Sequence, residues 1–499
     1  MSISLYALFL GSSLYVLYRI RSGRKRQLPP GPKGWPILGN LLELRGDTPI
    51  WEIFDSMKDK YGPIVYMNLA GVNVVILNTK ESANELMDRR STNYSDRPKT
   101  IVGGYLGAFL ALPLARYGKS WQTMRRASHS VLSLRATADY YPGQINEALI
   151  LTHDLLHKTA PPMTSIQRTA ASTMVSLCYA RPPLRSDEPI LQSLDEIAHR
   201  FGALLYPGAY LVEIFPVLDY FPQFMAKWKR DARKDYKKYT AFFQQCFEEA
   251  LEHKEKASLS VKLAEEQITT GLTDLQKYWV AGTIYIAGFE TTANMIAWLL
   301  HAMTIHPDVQ RKAQEEIDRV VGRVRTPTFG DMEHLPYIRA VVKEVLRWQP
   351  AGPFGVPHVS DDWYEDYFIP KGTICISNVW SINRSSDTYG TDAHEFRPER
   401  FLNEDGTLLS DEDGHSAYGF GRRVCVGRHV ADNSLFISIA TILWALNIVP
   451  SADKDVLQHK TELRKDVFNP CPDFQSSFVP RFPEVEGILS SMRDEIVQF

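Results

Sequence analysis

The sequence predicts a mainly α-helical protein with small β-sheets, preceded by a single N-terminal transmembrane helix, and three observations carry that reading. A charge-free apolar segment opens the chain, β-branched runs meet at Gly71, and a long apolar stretch follows a helix-capping pattern at Thr273 and Gln276. The 499 residues allow a large core. With 44% hydrophobic and 23% charged residues and a formal net charge of −2, the composition is that of an ordinary globular protein and gives no reason to expect nucleic acid as a partner.

Residues 2–18, SISLYALFLGSSLYVLY, are just long enough to cross a bilayer as a helix. Arg19, Arg21, Arg24, Lys25 and Arg26 come next and, by the positive-inside rule, keep the rest of the chain on the cytosolic side. A cleaved signal peptide would carry its basic residues before the apolar run and a small-residue cleavage site after it, and neither is present. Pro29, Pro30, Gly31 and Pro32 complete a stiff hinge over residues 19–32. No repeat or low-complexity segment divides the chain beyond this hinge, so residues 33–482 read as one body and 483–499 as a tail.

Within that body, Tyr61 to Asn78 reads as strands broken at Gly71. The apolar helix behind Thr273 extends to about His306, and Pro307 ends it or starts the next. Pro307 to Val321 is a charged amphipathic helix stopped by Gly322, and Tyr337 to Trp348 is a third helix ahead of Pro350. The run KWKRDARKDYKK from Lys227 is interrupted by Asp231 and Asp235 and reads as a solvated helix face.

Five widely spaced cysteines offer neither a disulfide framework nor a zinc pattern and suit a reducing compartment. The glycosylation-like matches at Asn93 and Asn383 are expected to be unused if the body faces the cytosol. One cysteine stands apart. In YGFGRRVCVGRH, Tyr418 to His429, Gly421, Arg423 and Gly427 stand at −4, −2 and +2 from Cys425. Glycines there let backbone approach a bound group, and an apolar helix predicted over Val430 to Ile448 would place the sulfur near a positive dipole end that lowers its pKa.

At these residues the sequence resembles the cytochrome P450 family, and the resemblance covers essentially the whole chain to about Phe482. It implies the cytochrome P450 fold, with haem b as cofactor, Cys425 as axial ligand of the haem iron, and Arg423 pairing with a haem propionate. The family usually has Phe seven residues before the cysteine; here Tyr418 keeps an aromatic, which leaves the redox tuning at that position open.

Other segments match the family in order. Glu344 and Arg347 form an E-x-x-R pair on one helix face, and Arg400 in FRPERF completes the implied buried structural network. AGFETT, Ala287 to Thr292, resembles the oxygen-activating segment: Ala287 and Gly288 would leave room over the iron, while Glu290 and Thr291 would supply protons to the distal oxygen. Trp121 and Arg125 in WQTMRR resemble the propionate-binding helix, and by weaker analogy Arg97 and His358 contact propionates too.

Family substrate-pocket regions correspond here to Ile101–Leu112, Phe201–Leu218, the distal part of the long helix, Pro353–Pro357 and the loop near Phe468, with Ile101, Leu106, Phe109, Ala287, Phe354, Val356 and Phe468 as candidate lining residues. The stretches IVGGYLGAFLAL, FGALLYPGAYLVEIFPVL and PFGVP hold Glu213 as their only acid and no base. They suit an uncharged, bulky lipophilic molecule. No flavin or nicotinamide fingerprint is present, so NADPH-derived electrons would arrive from NADPH–cytochrome P450 reductase, with cytochrome b5 as an optional second donor, on a basic face near Lys119, Arg126, Arg422 and Arg428. AGFETT, FIPKGT and the cysteine segment look most like fungal members of the O-methylsterigmatocystin oxidoreductase type. The resemblance thus implies an O2-dependent monooxygenase of the endoplasmic reticulum membrane, acting on a terpenoid, a polyketide or a foreign aromatic compound. Reductase-independent isomerases or dehydratases of the same family, and a haem protein without turnover, are the alternatives. The retained Glu290–Thr291 pair argues against both.

Overall fold

The computed structural model describes residues 27–205, 209–265, 271–355, 358–410, 414–451, 470–471 and 476–497. The expected anchor and basic cluster, Val356 and Phe468 lie outside them. No helix among the described residues is long and apolar enough to cross a membrane.

Two β-hairpins merge into one sheet. β1 (Ile64–Leu69) and β2 (Val72–Leu77) pair antiparallel around Ala70 and Gly71, both at positive φ, as a two-residue hairpin turn requires. β3 (His358–Tyr364) and β4 (Tyr367–Ser377) form the second hairpin, and β4 lies parallel to β2, giving the order β1-β2-β4-β3. One face packs Val65, Met67, Val74 and Ile76 against Trp51 and Phe54 of α1 (Ile50–Tyr61). The other packs Ile64, Val75 and Cys375 with Met87 and Phe420. Through Phe420 the sheet reaches the cysteine segment.

The rest is helical: α2 (Ile101–Leu106), α3 (Lys119–Leu132), α4 (Tyr141–His157), α5 (Pro162–Tyr179), α6 (Pro189–Leu205), α7 (Lys227–Glu252), α8 (Asp274–Ile305), α9 (Pro307–Val320), α10 (Pro336–Trp348), α11 (Arg428–Ala445) and α12 (Val485–Val497). α8 packs on α5, α7 and α11, while α11 also meets α4, α9 and α10. Almost every residue of α11 from Asn433 onward is buried, as expected of a helix that is apolar all round.

Local signals explain the boundaries. The Thr273–Gln276 capping box starts α8, and Pro307 and Pro336 occupy the first positions of α9 and α10, where a missing N–H costs nothing. One expectation is corrected. The apolar run behind Cys425 does not stay helical to Ile448: α11 ends at Ala445, and Leu446–Pro450 forms β5, paired with β6 (Ser476–Pro480). The β-branched pair Ile448–Val449 and helix-incompatible Pro450 favour the strand once a partner is available. Asn383 is fully buried and accepts a hydrogen bond from the Ser416 N–H, so a glycan cannot be carried there in the folded protein.

Candidate active site

Cys425 sits between a short turn, Gly421–Arg423, and the start of α11. Its N–H donates to the Tyr418 carbonyl at 2.9 Å, and the Val424 N–H donates to Gly421 at 3.1 Å. Gly421 has φ +59°, and a Cβ there would lie 2.0 Å from the Met87 carbonyl oxygen. Its N–H also donates to the Asp88 carboxylate. Gly427 differs: its φ is −91°, and among the described residues none beyond its chain neighbours comes within 4 Å of where a Cβ would stand. The close approach expected of both glycines is thus a protein contact at Gly421 alone.

Cys425 is accessible to a water-sized sphere, yet desolvation is the largest influence on its thiol and raises its pKa. The Gly427 N–H at the start of α11, Arg125 and Arg428 pull the other way, in the sense expected of that helix end, and burial outweighs them.

Arginines gather around this loop. On α3, Trp121 and Arg125 lie one turn apart; the Trp121 ring N–H donates to the Leu112 carbonyl at 3.1 Å, and Arg125 Nη2 donates to the Val424 carbonyl at 2.6 Å. Arg423 stacks on Trp121 at 4.0 Å and donates to the carbonyls of Ser95 and Ala115, each at 2.8 Å. Arg97 is buried and donates to the Pro113 carbonyl at 2.8 Å. Burial first, and then the charge of Arg423, hold its guanidinium well below the ordinary value. Burial, reinforced by Arg125, pushes Arg423 down to about 10. Buried like charges that depress one another form a donor set suited to an anion. His358 enters β3 opposite Cys375 in the register, away in sequence from this cluster.

Behind the loop, Glu344 is fully buried and accepts from Arg347 at 2.6 and 2.7 Å, from Arg400 Nε at 3.1 Å and from the Arg397 N–H at 2.7 Å. Arg347 donates further to the carbonyls of Asn383, Ala393 and Glu395. The network ties α10 to the segment that precedes the cysteine loop.

One face of α8 lines an apolar cavity. Trp279, Thr283, Ile286, Ala287, Glu290 and Thr291 recur at helical spacing, opposite Phe243 of α7, Phe201 and Gly202 of α6, and Leu114. The Thr291 hydroxyl donates to the Ala287 carbonyl at 2.7 Å. Gly288 does not line the cavity: a Cβ there would lie 2.4 Å from the Met174 sulfur, so its smallness serves the packing of α5 on α8. Leu106 is buried and Ile101 half-buried in the neighbouring cluster with Trp279 and Phe243. Phe109 is 54% exposed, and Phe354 packs with Trp51 beneath the sheet, so neither joins this lining. Glu213 is no pocket acid; its carboxylate accepts from the N–H groups of Ile101 and Val102 at 2.9 and 2.8 Å and caps α2. Sequence reasoning missed Trp279, Thr283 and Phe243. The i, i+4, i+7 recurrence from Trp279 to Glu290 was the available signal for the first two; nothing local marks Phe243.

Comparison with known proteins then decides the family: residues 29–475 match the family described as Cytochrome P450. The chain belongs to the cytochrome P450 family. Similar proteins include a cytochrome P450 monooxygenase of Armillaria gallica, 43% identical across 96% of this chain and 95% of the relative. Cytochrome P450 monooxygenase 58 of Postia placenta is 43% identical across 98% and 95%, and cytochrome P450 monooxygenase iboC of Amanita muscaria is 36% identical across 98% and 97%. As a cytochrome P450, this chain is an oxidoreductase of the monooxygenase class, whose family works with haem iron, O2 and electrons from a reductase. The residues present fit that cofactor. Cys425 offers a thiolate ligand, and the guanidiniums of Arg97, Arg125 and Arg423, the first buried and the other two half-buried, are gathered beside it as donors suited to two propionates.

Proposed function

We propose that this cytochrome P450 inserts one oxygen atom from O2 into a lipophilic secondary metabolite or foreign aromatic compound, with haem b held by Cys425 and electrons from NADPH through NADPH–cytochrome P450 reductase. The observation that carries this reading is the cavity along α8. Its wall is apolar from Trp279 to Ala287 apart from Thr283 and ends at a carboxyl and a hydroxyl, Glu290 and Thr291.

Haem held by Cys425 would supply the activation of O2. Arg97, Arg125 and Arg423 would orient it, and Arg125 holds the Val424 carbonyl beside Cys425. With its proton committed to the Ala287 carbonyl, Thr291 keeps its lone pairs to accept a hydrogen bond from a water in the cavity. Glu290, one residue earlier, passes a proton to the same water. The apolar walls orient the substrate and exclude bulk solvent.

Lys119, Arg126 and Arg422 are exposed beside the loop and α3, where a basic docking face for an acidic reductase would be needed. The segment from Leu211 to Met225 exposes Leu211, Phe215, Val217, Tyr220, Phe221 and Phe224, a patch suited to the surface of the endoplasmic reticulum bilayer in a chain anchored by residues 2–18.

The test is the absorption spectrum of reduced protein with and without carbon monoxide, for wild type and Cys425→Ala. A strongly red-shifted Soret band confined to wild type supports the ligand assignment. Its absence from well-expressed, haem-supplied wild type would sink it. With the reductase and NADPH, Thr291→Ala should retain O2 consumption while yielding less product, and unchanged coupling would remove Thr291 from the proton path.

A further inference from the structure

Thr283 is the exception on the cavity wall. It lines the cavity, is only 8% exposed, and its hydroxyl makes no hydrogen bond to any described residue. A helical threonine ordinarily rests its hydroxyl on the carbonyl four residues back, as Thr291 does on Ala287. Of the other polar side chains on the cavity wall, the Trp279 ring N–H donates to Thr240 at 3.1 Å and the Thr291 hydroxyl to the Ala287 carbonyl. The Thr283 residue is only 8% exposed, but its hydroxyl is not sealed off from the cavity, so it is a donor that a ligand oxygen entering there can take up.

We propose that Thr283 anchors the substrate by a hydrogen bond to a carbonyl or hydroxyl oxygen carried at one end of an otherwise apolar, elongated molecule. This rests on the monooxygenase reading, in which oxidation takes place beside Ala287 and Thr291. Thr283 stands four and eight residues before them, or about 6–12 Å along the helix axis. The anchored oxygen and the oxidised carbon therefore lie at opposite ends of the substrate, and Thr283 is a specificity-determining residue.

Two isosteric probes test this: 4-acetylbiphenyl, and 4-isopropenylbiphenyl, in which a methylene replaces the oxygen. Equilibrium dialysis against the full-length, haem-loaded protein gives their affinities for wild type, Thr283→Val and Thr283→Ser. Wild type should prefer the ketone by about three- to tenfold, the range of one net hydrogen bond. Thr283→Val, of equal shape, should lose that preference by weakening ketone binding alone, and Thr283→Ser should keep it. No preference in wild type, an equal preference in Thr283→Val, or binding of neither probe overturns the anchor. Reduced carbon monoxide spectra of the same samples separate the two ideas: a thiolate band alongside a failed preference rejects the anchor and leaves the monooxygenase reading standing. A preserved Thr283-dependent preference without that band rejects the haem assignment and keeps the binding site.

Discussion

The Tyr418 hydroxyl donates a hydrogen bond to the Asp432 carboxylate, while the Tyr418 carbonyl accepts the N–H of Cys425 at 2.9 Å. One residue therefore ties the backbone of Cys425 to the first turns of α11. Burial is the main influence raising the pKa of both Tyr418 and Cys425, and the negative charge of Asp432 adds to it in each. By donating to that carboxylate the phenol offsets part of its charge. A phenylalanine, the usual family residue at this place, could not do so.

Tyr418→Phe should cost about 1.5–3 kcal/mol of stability, the worth of a buried hydrogen bond to a charged acceptor. With more of the Asp432 charge facing the ligand, the haem reduction potential should move to a more negative value. Asp432→Asn should move it to a more positive one. Spectroelectrochemistry of the two variants checks this, and shifts of the same sign in both would reject the electrostatic account.

Gly421 and Gly427 should respond differently to alanine. At Gly421 the left-handed backbone and the 2.0 Å approach to Met87 leave no room, so Gly421→Ala should disrupt the loop and lower the thermal midpoint of the protein even without haem. Gly427→Ala meets no described residue beyond its chain neighbours within 4 Å and should leave the haem-free fold intact. If haem lies against this position, that variant should instead bind it more weakly. Calorimetry of haem-free protein and haem titration separate the two effects.

The difference between these glycines marks how far the sequence could be read. Capping at Thr273–Gln276 and the prolines at 307 and 336 act locally, so α8, α9 and α10 were legible to within a residue or so. The end of α11 was not, because β5 exists only by pairing with β6, which begins 26 residues after β5 ends. Motifs named Cys425, Glu344 and Arg400, but spacing alone could not show which way a glycine faces. Gly288 beside Ala287 is adjacent in sequence and points at Met174; Ala287 points at the cavity. The role of Glu213 was hidden for a similar reason, since its partners, the N–H groups at the start of α2, are more than a hundred residues away.

Gly288→Ala tests that distinction. Overpacking against Met174 should cost about 1–3 kcal/mol, and Met174→Ala in the same chain should recover part of it. Substrate affinity at the surviving folded fraction should be unchanged. A Gly288→Ala variant of wild-type stability but altered substrate binding would place this residue on the cavity side after all.

Glu344 provides the sharpest test of how the cysteine loop is supported. Arg347 is held by three backbone carbonyls and Arg400 by those of Tyr389 and Asp392, so removing the carboxylate would leave Arg347 buried in place with its charge uncompensated and Arg400 with only the Asp392 carboxylate, at 3.5 Å. Breaking a buried pair in this way costs about 3–5 kcal/mol. Glu344→Ala should therefore yield protein with little bound haem, because the segment from Ala393 to Arg400 loses its bonds to the carboxylate on α10 and keeps only those to Arg347, itself left with an unbalanced charge. Glu344→Gln separates charge from shape: it retains an acceptor oxygen at the same place and loses the negative charge. If the ion pairs carry the support, Glu344→Gln should resemble Glu344→Ala in haem content and denaturant midpoint. If the carboxylate serves chiefly as a junction of hydrogen bonds, Glu344→Gln should hold near-normal haem, and the electrostatic part of this account would be wrong.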